Sequence, residues 1–185
     1  MSSNNALPVT IVPMDDANRA LFNSFPSRFE VTGKVWASNE EGFFLFEVEP
    51  AQKPYTVKTY PDAPWQKRDA QAVFFAMDGE ECMGQIHIAM HWNGLARVED
   101  IRVREGCRRR GVGRALMDAA VAWAKEREVP AVCLETQDNN VVACRFYAEC
   151  GFFLAGIDQA VYLATPNKGE TALYWYHFLV PMPWD

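Results

Sequence analysis

Alternation of apolar and polar residues dominates the middle of the chain and predicts β-strands there. Residues 70–77, 83–92 and 96–103 follow this period of two and are rich in β-branched and aromatic side chains. The dipeptides Asp78-Gly79 and Asn93-Gly94 stand between them, and such pairs favour tight hairpin turns. The pattern therefore predicts three strands joined by two hairpins.

After residue 103 the apolar spacing changes to three or four residues, which predicts helices between the strands. The elements predicted in this half are helix 111–127, strand 131–136, helix 141–149 and a final strand pair at 152–163 and 171–180. Gly151 follows the second helix, where glycine commonly ends one. This order of strands and helices predicts an α/β (α+β) fold.

The first part of the chain has weaker patterns. A short strand is predicted at 9–12 and a helix at 15–25, which begins with aspartates and ends before a proline. Residues 29–37 and 42–49 have the aromatic and β-branched composition of strands or of irregular segments. Four prolines between residues 49 and 65 predict a long loop.

Composition places the chain among ordinary globular proteins. Of 185 residues, 49% are hydrophobic and 23% are charged, and no apolar run approaches the roughly 20 residues that span a bilayer. The first five residues lack the basic and apolar regions of a signal peptide, so a cytoplasmic location is expected. Five cysteines without a C-x-x-C pair indicate reduced thiols and no metal site.

Charge is distributed unevenly along the chain. The net charge is −6, but segment 102–114 has six arginines and one glutamate and contributes +5, so the rest sums to −11. The basic segment suits an anion, and the acidic remainder suits a cation, which Asp138 and Asp158 would help to bind. Because the protein as a whole is acidic, nucleic-acid binding through the arginines is disfavoured.

The basic segment contains the sequence Arg-Arg-Arg-Gly-Val-Gly at 108–113, between a predicted strand and a predicted helix. A helix start has unpaired N–H groups and the positive end of the dipole, and two glycines let an anion approach the backbone closely. The pattern predicts a pyrophosphate site. No G-x-x-x-x-G-K-[ST] is present, so a P-loop NTPase is disfavoured. A dinucleotide-binding protein is also disfavoured, because Leu116 stands where its fingerprint needs glycine or alanine.

A second motif, Asn-Val-Val-Ala-Cys-Arg-Phe-Tyr-Ala-Glu-Cys-Gly-Phe, occupies 140–152. R-x-x-G-x-G followed at this distance by N-x-x-A-x-x-F-Y-x-x-x-G-F resembles the GNAT superfamily of N-acetyltransferases. The string Leu-Glu-Thr-Gln-Asp-Asn-Asn at 134–140 is most similar to the streptothricin acetyltransferases of that superfamily. The resemblance implies one domain, with an acetyl-CoA-binding core at 69–180 and a variable N-terminal part at 1–68.

The resemblance also implies a mixed, mostly antiparallel central sheet with flanking helices, in which two central strands splay apart. The pantetheine of acetyl-CoA would lie in the gap and pair with the backbone of Ile101 and Val103, as an added strand does. No metal is implied. The further residues implied to bind acetyl-CoA are Arg102, Arg108, Arg109, Arg110, Gly111, Val112, Gly113, Arg114, Asn140, Ala143 and Phe146.

Acetyl transfer to an amine requires a base for the amine proton and an acid for the departing thiolate. The resemblance implies that Tyr147 is the acid. Two glutamates are candidate bases. Glu135 precedes Tyr147 by twelve residues, as in the ribosomal-protein N-acetyltransferases of this family, and Glu99 shares a strand face with Ile101 by strict alternation. Asp100 is a third, weaker candidate.

The resemblance implies direct acetyl transfer to a primary amine, with the β-lysine amine of streptothricin, a polycationic antibiotic, as the expected acceptor. Two alternatives stay open. One is an N-acetyltransferase for another amine, such as a protein N-terminus or a polyamine, and the other is an acyl-CoA-binding sensor without turnover. No nucleic-acid or membrane partner is expected, and a homodimer is left open.

Overall fold

The computed structural model describes residues 9–68 and 70–181. Residues 1–8, which begin the predicted variable part, lie outside the described residues, as do 182–185 and Asp69, the first residue of the predicted core. The division at residue 68 stays a prediction. The elements in chain order are β1 (Thr10–Pro13), β2 (Ser27–Val31), β3 (Gly33–Glu40), β4 (Phe43–Pro50), β5 (Thr56–Tyr60), β6 (Gln71–Asp78), β7 (Glu81–Met90), β8 (Ala96–Val103), α1 (Val112–Lys125), β9 (Ala131–Gln137), α2 (Val141–Glu149), β10 (Phe153–Asp158) and β11 (Ala172–Phe178).

The chain packs into two compact units. The first contains the residues up to Ser27 together with Tyr60–Val129, and the second contains Arg28–Thr59 together with the residues from Pro130 onward. In the first unit, strands β1, β6, β7 and β8 lie side by side in that order, each antiparallel to the next. Helix α1 covers one face of these strands.

Gly84 lets helix α1 approach strand β7 closely. A Cβ atom on this residue would lie 2.9 Å from Cδ1 of Leu116 and 3.0 Å from the carbonyl oxygen of Arg102. Val112 and Leu116 are fully buried beside it. The first turns of α1 are therefore fixed against the sheet, and this packing sets where the loop before the helix lies.

The other face of the same strands carries a second apolar cluster. Its buried centre consists of Phe25, Val73, Phe75 and Cys82, against which the partly buried Trp65 packs. Val73 and Phe75 lie opposite His87 and Gln85 in the β6–β7 register. Polar side chains therefore share this face with the apolar cluster.

The second unit contains a hairpin of β3 and β4 and a three-stranded arrangement in the order β9, β11, β10, all antiparallel. Trp175 on β11 is 1% exposed and packs against the ring of Phe46 on β4, with the two centroids 5.4 Å apart. Helix α2 packs beside β3 and β10. Neither helix in the described part of the chain has the length and apolar character that crossing a bilayer demands.

From residue 70 onward, the predicted order of strands and helices is confirmed, with most ends within two residues. Strand β10 ends at Asp158 and not at 163, because the Asp158 carboxylate accepts the N–H groups of Ala160 and Val161 and turns the chain. Residues 29–37 and 42–49 lie within strands β2 to β4 or between them.

Two predictions for the first part of the chain are wrong. Residues 15–25 form only a 3-10 turn at Arg19–Leu21 and not a helix. Asn23 has a φ of 60°, and its N–H donates to Gln85 Oε1 at 2.8 Å, so a contact distant in sequence holds the backbone out of a helix. The predicted loop 49–65 contains strand β5, which pairs with β2.

Candidate active site

The predicted pyrophosphate loop is an exposed turn between β8 and α1. Residues 108–111 are exposed, whereas Cys107 and Val112 at its two ends are buried and anchor it. Gly111 is the N-cap of α1 with a φ of 84°, and no side chain caps the helix. The positive end of a fourteen-residue helix is thus left uncapped by side chains, as anion binding requires.

The arginines of segment 102–114 do not form one exposed cluster. The side chain of Arg102 is 1% exposed and lies 2.8 Å from the carboxylate of Asp100. Arg104 donates to the carbonyl of Cys82 at 3.0 Å. Arg109 and Arg110 are exposed, and neither pairs with a carboxylate among residues 9–68 and 70–181. The charge available to an anion is therefore concentrated in the loop itself.

A β-bulge interrupts strand β8 at Glu99. The strand pairs with β7 in register on both sides of this residue, but Glu99 has no residue opposite it. The pairs that flank the bulge are His87–Asp100 and Ile88–Val98. Because one residue is inserted, the alternation of side chains between the two faces shifts by one position.

The bulge corrects the predicted face of Glu99. Ile101 pairs with Ile86, on the face covered by α1. The Glu99 carboxylate instead lies 3.5 Å from Nη1 of Arg68 and acts electrostatically on His87, which belongs to the other face. The prediction that Glu99 shares a face with Ile101 is therefore wrong, because strict alternation does not hold across a bulge.

The third candidate base, Asp100, is engaged within the fold. Its Oδ2 accepts hydrogen bonds from Nε2 of Gln85 at 2.7 Å and from Nε of Arg102 at 3.0 Å. Its Oδ1 accepts a third hydrogen bond from Nη2 of Arg102 at 2.8 Å. Arg102 also donates to the carbonyl of Phe25 at 3.3 Å. Asp100 thus neutralises a buried cation, which argues against a role as a proton acceptor.

His87 is a buried polar residue on the same face. Its Nε2 lies 2.9 Å from Oε1 of Gln71, and its ring packs near Phe22 and Trp65. Burial lowers the pKa of His87 below its ordinary value, and the carboxylate of Glu99 opposes that shift. The imidazole is therefore neutral at neutral pH.

Tyr147, the predicted acid, lies in a cluster of aromatic rings in the second unit. The centroids of Phe146, Phe152 and Trp175 lie 5.5, 6.1 and 6.3 Å from that of Tyr147. The residue is 7% exposed. At the start of the same helix, Asn140 is the N-cap, and its Oδ1 accepts the N–H of Ala143 at 3.1 Å. Packing and capping together fix the orientation of helix α2.

Glu135, the other predicted base, and Trp175 on β11 lie on opposite faces of the β9–β11 strand pair. In the β9–β11 register Glu135 pairs with Tyr174, whereas Leu134 pairs with Trp175, which touches Tyr147. The carboxylate of Glu135 accepts a hydrogen bond from the hydroxyl of Tyr162. Tyr162 was not predicted as a site residue, since nothing in the strand pattern of 152–163 distinguishes it.

The thiol of Cys144, on helix α2, is fully buried. Burial, and then the charge of Asp138, raise the pKa of Cys144 to about 12, so the thiol stays protonated and unreactive. Asp138 is itself buried, and its Oδ2 lies 3.2 Å from Nζ of Lys34. Among the residues that the structure describes, no group of three or more His, Cys, Asp or Glu could hold a metal ion.

Comparison with known proteins shows similarity to one family. Residues 38–152 match the model of the acetyltransferase (GNAT) family. The chain is 36% identical to streptothricin acetyltransferase A of Bacillus subtilis over 171 residues, which cover 90% of this chain and 98% of that protein. One similar solved structure is that of a Bacillus anthracis protein assigned as a streptothricin acetyltransferase, in complex with acetyl coenzyme A. It superposes with a TM-score of 0.85 at 31% identity, and the match covers 92% of this chain and 99% of the other. A nourseothricin acetyltransferase superposes with a TM-score of 0.78 at 28% identity, covering 93% and 99%.

Proposed function

The chain belongs to the GNAT family of acetyltransferases, and from this premise we propose that its acceptor is an amine of a streptothricin-type antibiotic. As a family member it is an acetyl-CoA-dependent N-acetyltransferase with the family's α/β fold, so the resemblance, fold class and co-substrate predicted from the sequence are confirmed. The observation that supports this acceptor is the similarity to a streptothricin acetyltransferase along nearly the full length of both chains.

The acetyl-CoA would be held first by its pyrophosphate. We assign this group to the N–H groups of residues 108–114 and to the guanidinium groups of Arg109 and Arg110, because the loop is exposed and the helix start is uncapped. Ile101 and Val103 would pair with pantetheine through their backbone. Arg102 would also act only through its backbone, because its side chain is buried against Asp100.

Residues of helix α2 would hold the pantetheine arm from the second motif. The oxygen of Asn140 caps the helix, so a hydrogen bond to a pantetheine carbonyl would come from its amide nitrogen. Ala143 and Phe146, about one and two turns further along the helix, would contact the arm by packing. The splaying of two central strands around pantetheine stays a prediction.

The chemistry would use the amine as the nucleophile. Glu135 would take a proton from the acceptor ammonium through water, because it lies on the face of the β9–β11 pair away from Trp175, against which Tyr147 packs. The neutral nitrogen forms a bond to the acetyl carbon, and the bond from that carbon to sulfur breaks. Tyr147 gives its proton to the departing thiolate, and the second proton that leaves the nitrogen as the amide forms restores the hydroxyl of Tyr147. Glu99 is the alternative base, although it pairs with Arg68.

Charge supports a cationic acceptor. Outside segment 102–114 the chain sums to −11, and streptothricin is a polycation. Acetylation removes one positive charge, which would weaken its binding to an anionic target such as ribosomal RNA. Asp138 and Asp158 contribute less to acceptor binding than their charge suggests, since Asp138 pairs with Lys34 and Asp158 holds a turn.

A thiol-release assay with acetyl-CoA and a panel of amines tests the acceptor. We expect streptothricin to give the highest kcat/KM, and the product to gain the mass of one acetyl group and lose toxicity to sensitive cells. A higher kcat/KM with a polyamine or an N-terminal peptide would overturn the choice of streptothricin. Acetyl-CoA binding without thiol release on any amine would indicate a sensor.

A further inference from the structure

We propose that Tyr162 is a positioning residue, which holds the carboxylate of Glu135 in the orientation that accepts the amine proton. The inference rests on the proposed function, because it requires that Glu135 be the base. It concerns a residue outside both sequence motifs, in the connection between β10 and β11. No contact with the acceptor itself is needed for this role.

The segment that carries Tyr162 is held by its own hydrogen bonds. At its start, Oδ1 of Asp158 accepts the N–H groups of Ala160 and Val161 at 2.7 and 3.0 Å. The carbonyl of Tyr162 accepts both the N–H and Oγ1 of Thr165, each at 2.9 Å. The tyrosine is therefore fixed at its backbone before its side chain makes any contact.

The end of the connection is also fixed. Oε2 and Oε1 of Glu170 accept hydrogen bonds from Nζ of Lys58 at 2.5 and 2.7 Å. Both side chains are about four-fifths buried. Thr171 accepts the N–H of Asp138 through its carbonyl oxygen at 2.9 Å. With both ends fixed, the connection between β10 and β11 is an ordered element that presents Tyr162 to β9.

The side chain of Tyr162 reaches Glu135 from this segment. Tyr162 is 8% exposed, and its hydroxyl donates to Oε1 of Glu135. A glutamate side chain has several rotatable bonds, and fixing it costs rotamer entropy. A donor on Oε1 removes part of that freedom in advance.

A double-mutant cycle on the full-length chain tests the inference, with kcat/KM for the acceptor as the readout. We expect Tyr162→Phe to lower kcat by roughly ten- to a hundredfold, the effect of one hydrogen bond to a charged group. The Kd of acetyl-CoA and the Tm stay close to those of the unmodified chain. In a Glu135→Gln background, the same change costs less than about threefold, because the two residues act as a unit.

The division of the loss between kcat and KM distinguishes positioning from a merely structural role. In Tyr162→Phe, kcat falls while the KM of the acceptor changes by less than about threefold, since the hydroxyl orients the base and needs no contact with the acceptor. The control is Thr165→Val, which removes a bond to the backbone of Tyr162 but keeps the hydroxyl. It lowers Tm as much as or more than Tyr162→Phe and leaves kcat near that of the unmodified chain.

The outcomes separate this inference from the proposed function. If the unmodified chain acetylates an amine but Tyr162→Phe leaves kcat unchanged, the positioning role is overturned and the function stands. The positioning role is also overturned if the effects of Tyr162→Phe and Glu135→Gln on kcat/KM are fully independent, or if the Glu135→Gln variant is active. If the unmodified chain releases no thiol with any amine, the proposed function fails, and the role of Tyr162 fails with it.

Discussion

The guanidinium of Arg102 lies 2.8 Å from the carboxylate of Asp100, two positions away on the same strand. Residues i and i+2 of a strand share a face, so the pair points into the apolar cluster around Phe25. Both residues were predicted to belong to the site, Arg102 as a cofactor-binding residue and Asp100 as a base. Their pairing makes them parts of the scaffold beneath it.

Loss of the Arg102 charge should destabilise the fold strongly. Arg102→Met leaves the Asp100 carboxylate, which is 12% exposed, without its cation, and we expect the free energy of unfolding to fall by about 3–5 kcal/mol. Guanidinium denaturation measures this. The control Arg110→Met, on the exposed loop, should change it by less than about 0.5 kcal/mol. Equal losses in the two variants would contradict the assignment.

The exposed arginines should govern acetyl-CoA affinity. Replacing Arg109 and Arg110 by serine removes two donors to the pyrophosphate, and we expect the Kd of acetyl-CoA to rise about tenfold at low salt and less at high salt. Calorimetric titration measures both values. Lys125→Ser removes a charge at the other end of α1 and serves as the control. A double variant with unaltered Kd would place the pyrophosphate elsewhere.

Gly84 should be intolerant of any side chain. In Gly84→Ala the new Cβ meets Leu116 at 2.9 Å and the Arg102 carbonyl at 3.0 Å, and we expect a loss of about 1–3 kcal/mol of stability. Acetyl-CoA binding should weaken as well, because α1 must shift. Gly106→Ala meets nothing within 4 Å, so its Tm should stay near that of the unmodified chain. Equal Tm values for the two would show that α1 has room to move.

Tyr147→Phe should separate chemistry from binding. The ring and its packing against Trp175 are retained, and only the hydroxyl is lost, so we expect kcat to fall about a hundredfold while the Kd of acetyl-CoA changes little. Steady-state kinetics and calorimetry provide the two numbers. Tyr55→Phe, in the segment between β4 and β5, is the control. A proportional loss of both quantities would argue for a structural role.

His87 should make stability depend on pH. Its pKa is lowered in the folded protein by burial, so the unfolded chain binds the proton more readily. The stability contributed by the neutral imidazole is present above its ordinary pKa of about 6.5 and is lost as the pH falls below it. Tm measured from about pH 8 to about pH 5 should therefore decrease less in His87→Gln than in the unmodified chain. Parallel curves would exclude His87 as the cause.

The two motifs and the elements around them could be predicted from the sequence because their signals are local. Period-two and helical spacing, the hairpin dipeptides and the glycines at 111 and 113 act over a few neighbouring residues, and strands β6 to β9 and both helices lie where they were predicted. The choice of family followed from motif spacing, and the comparisons confirm it.

What tertiary structure decided depends on partners distant in the chain. Strand β5 exists because β2 pairs with it, and residues 15–25 are not a helix because Gln85 holds the backbone of Asn23. The bulge that turns Glu99 toward Arg68 depends on the register with β7. Tyr162 meets Glu135 across 27 positions. The sequence alone determined which chemistry the chain carries, and only long-range pairing decided which side chains are engaged within the fold.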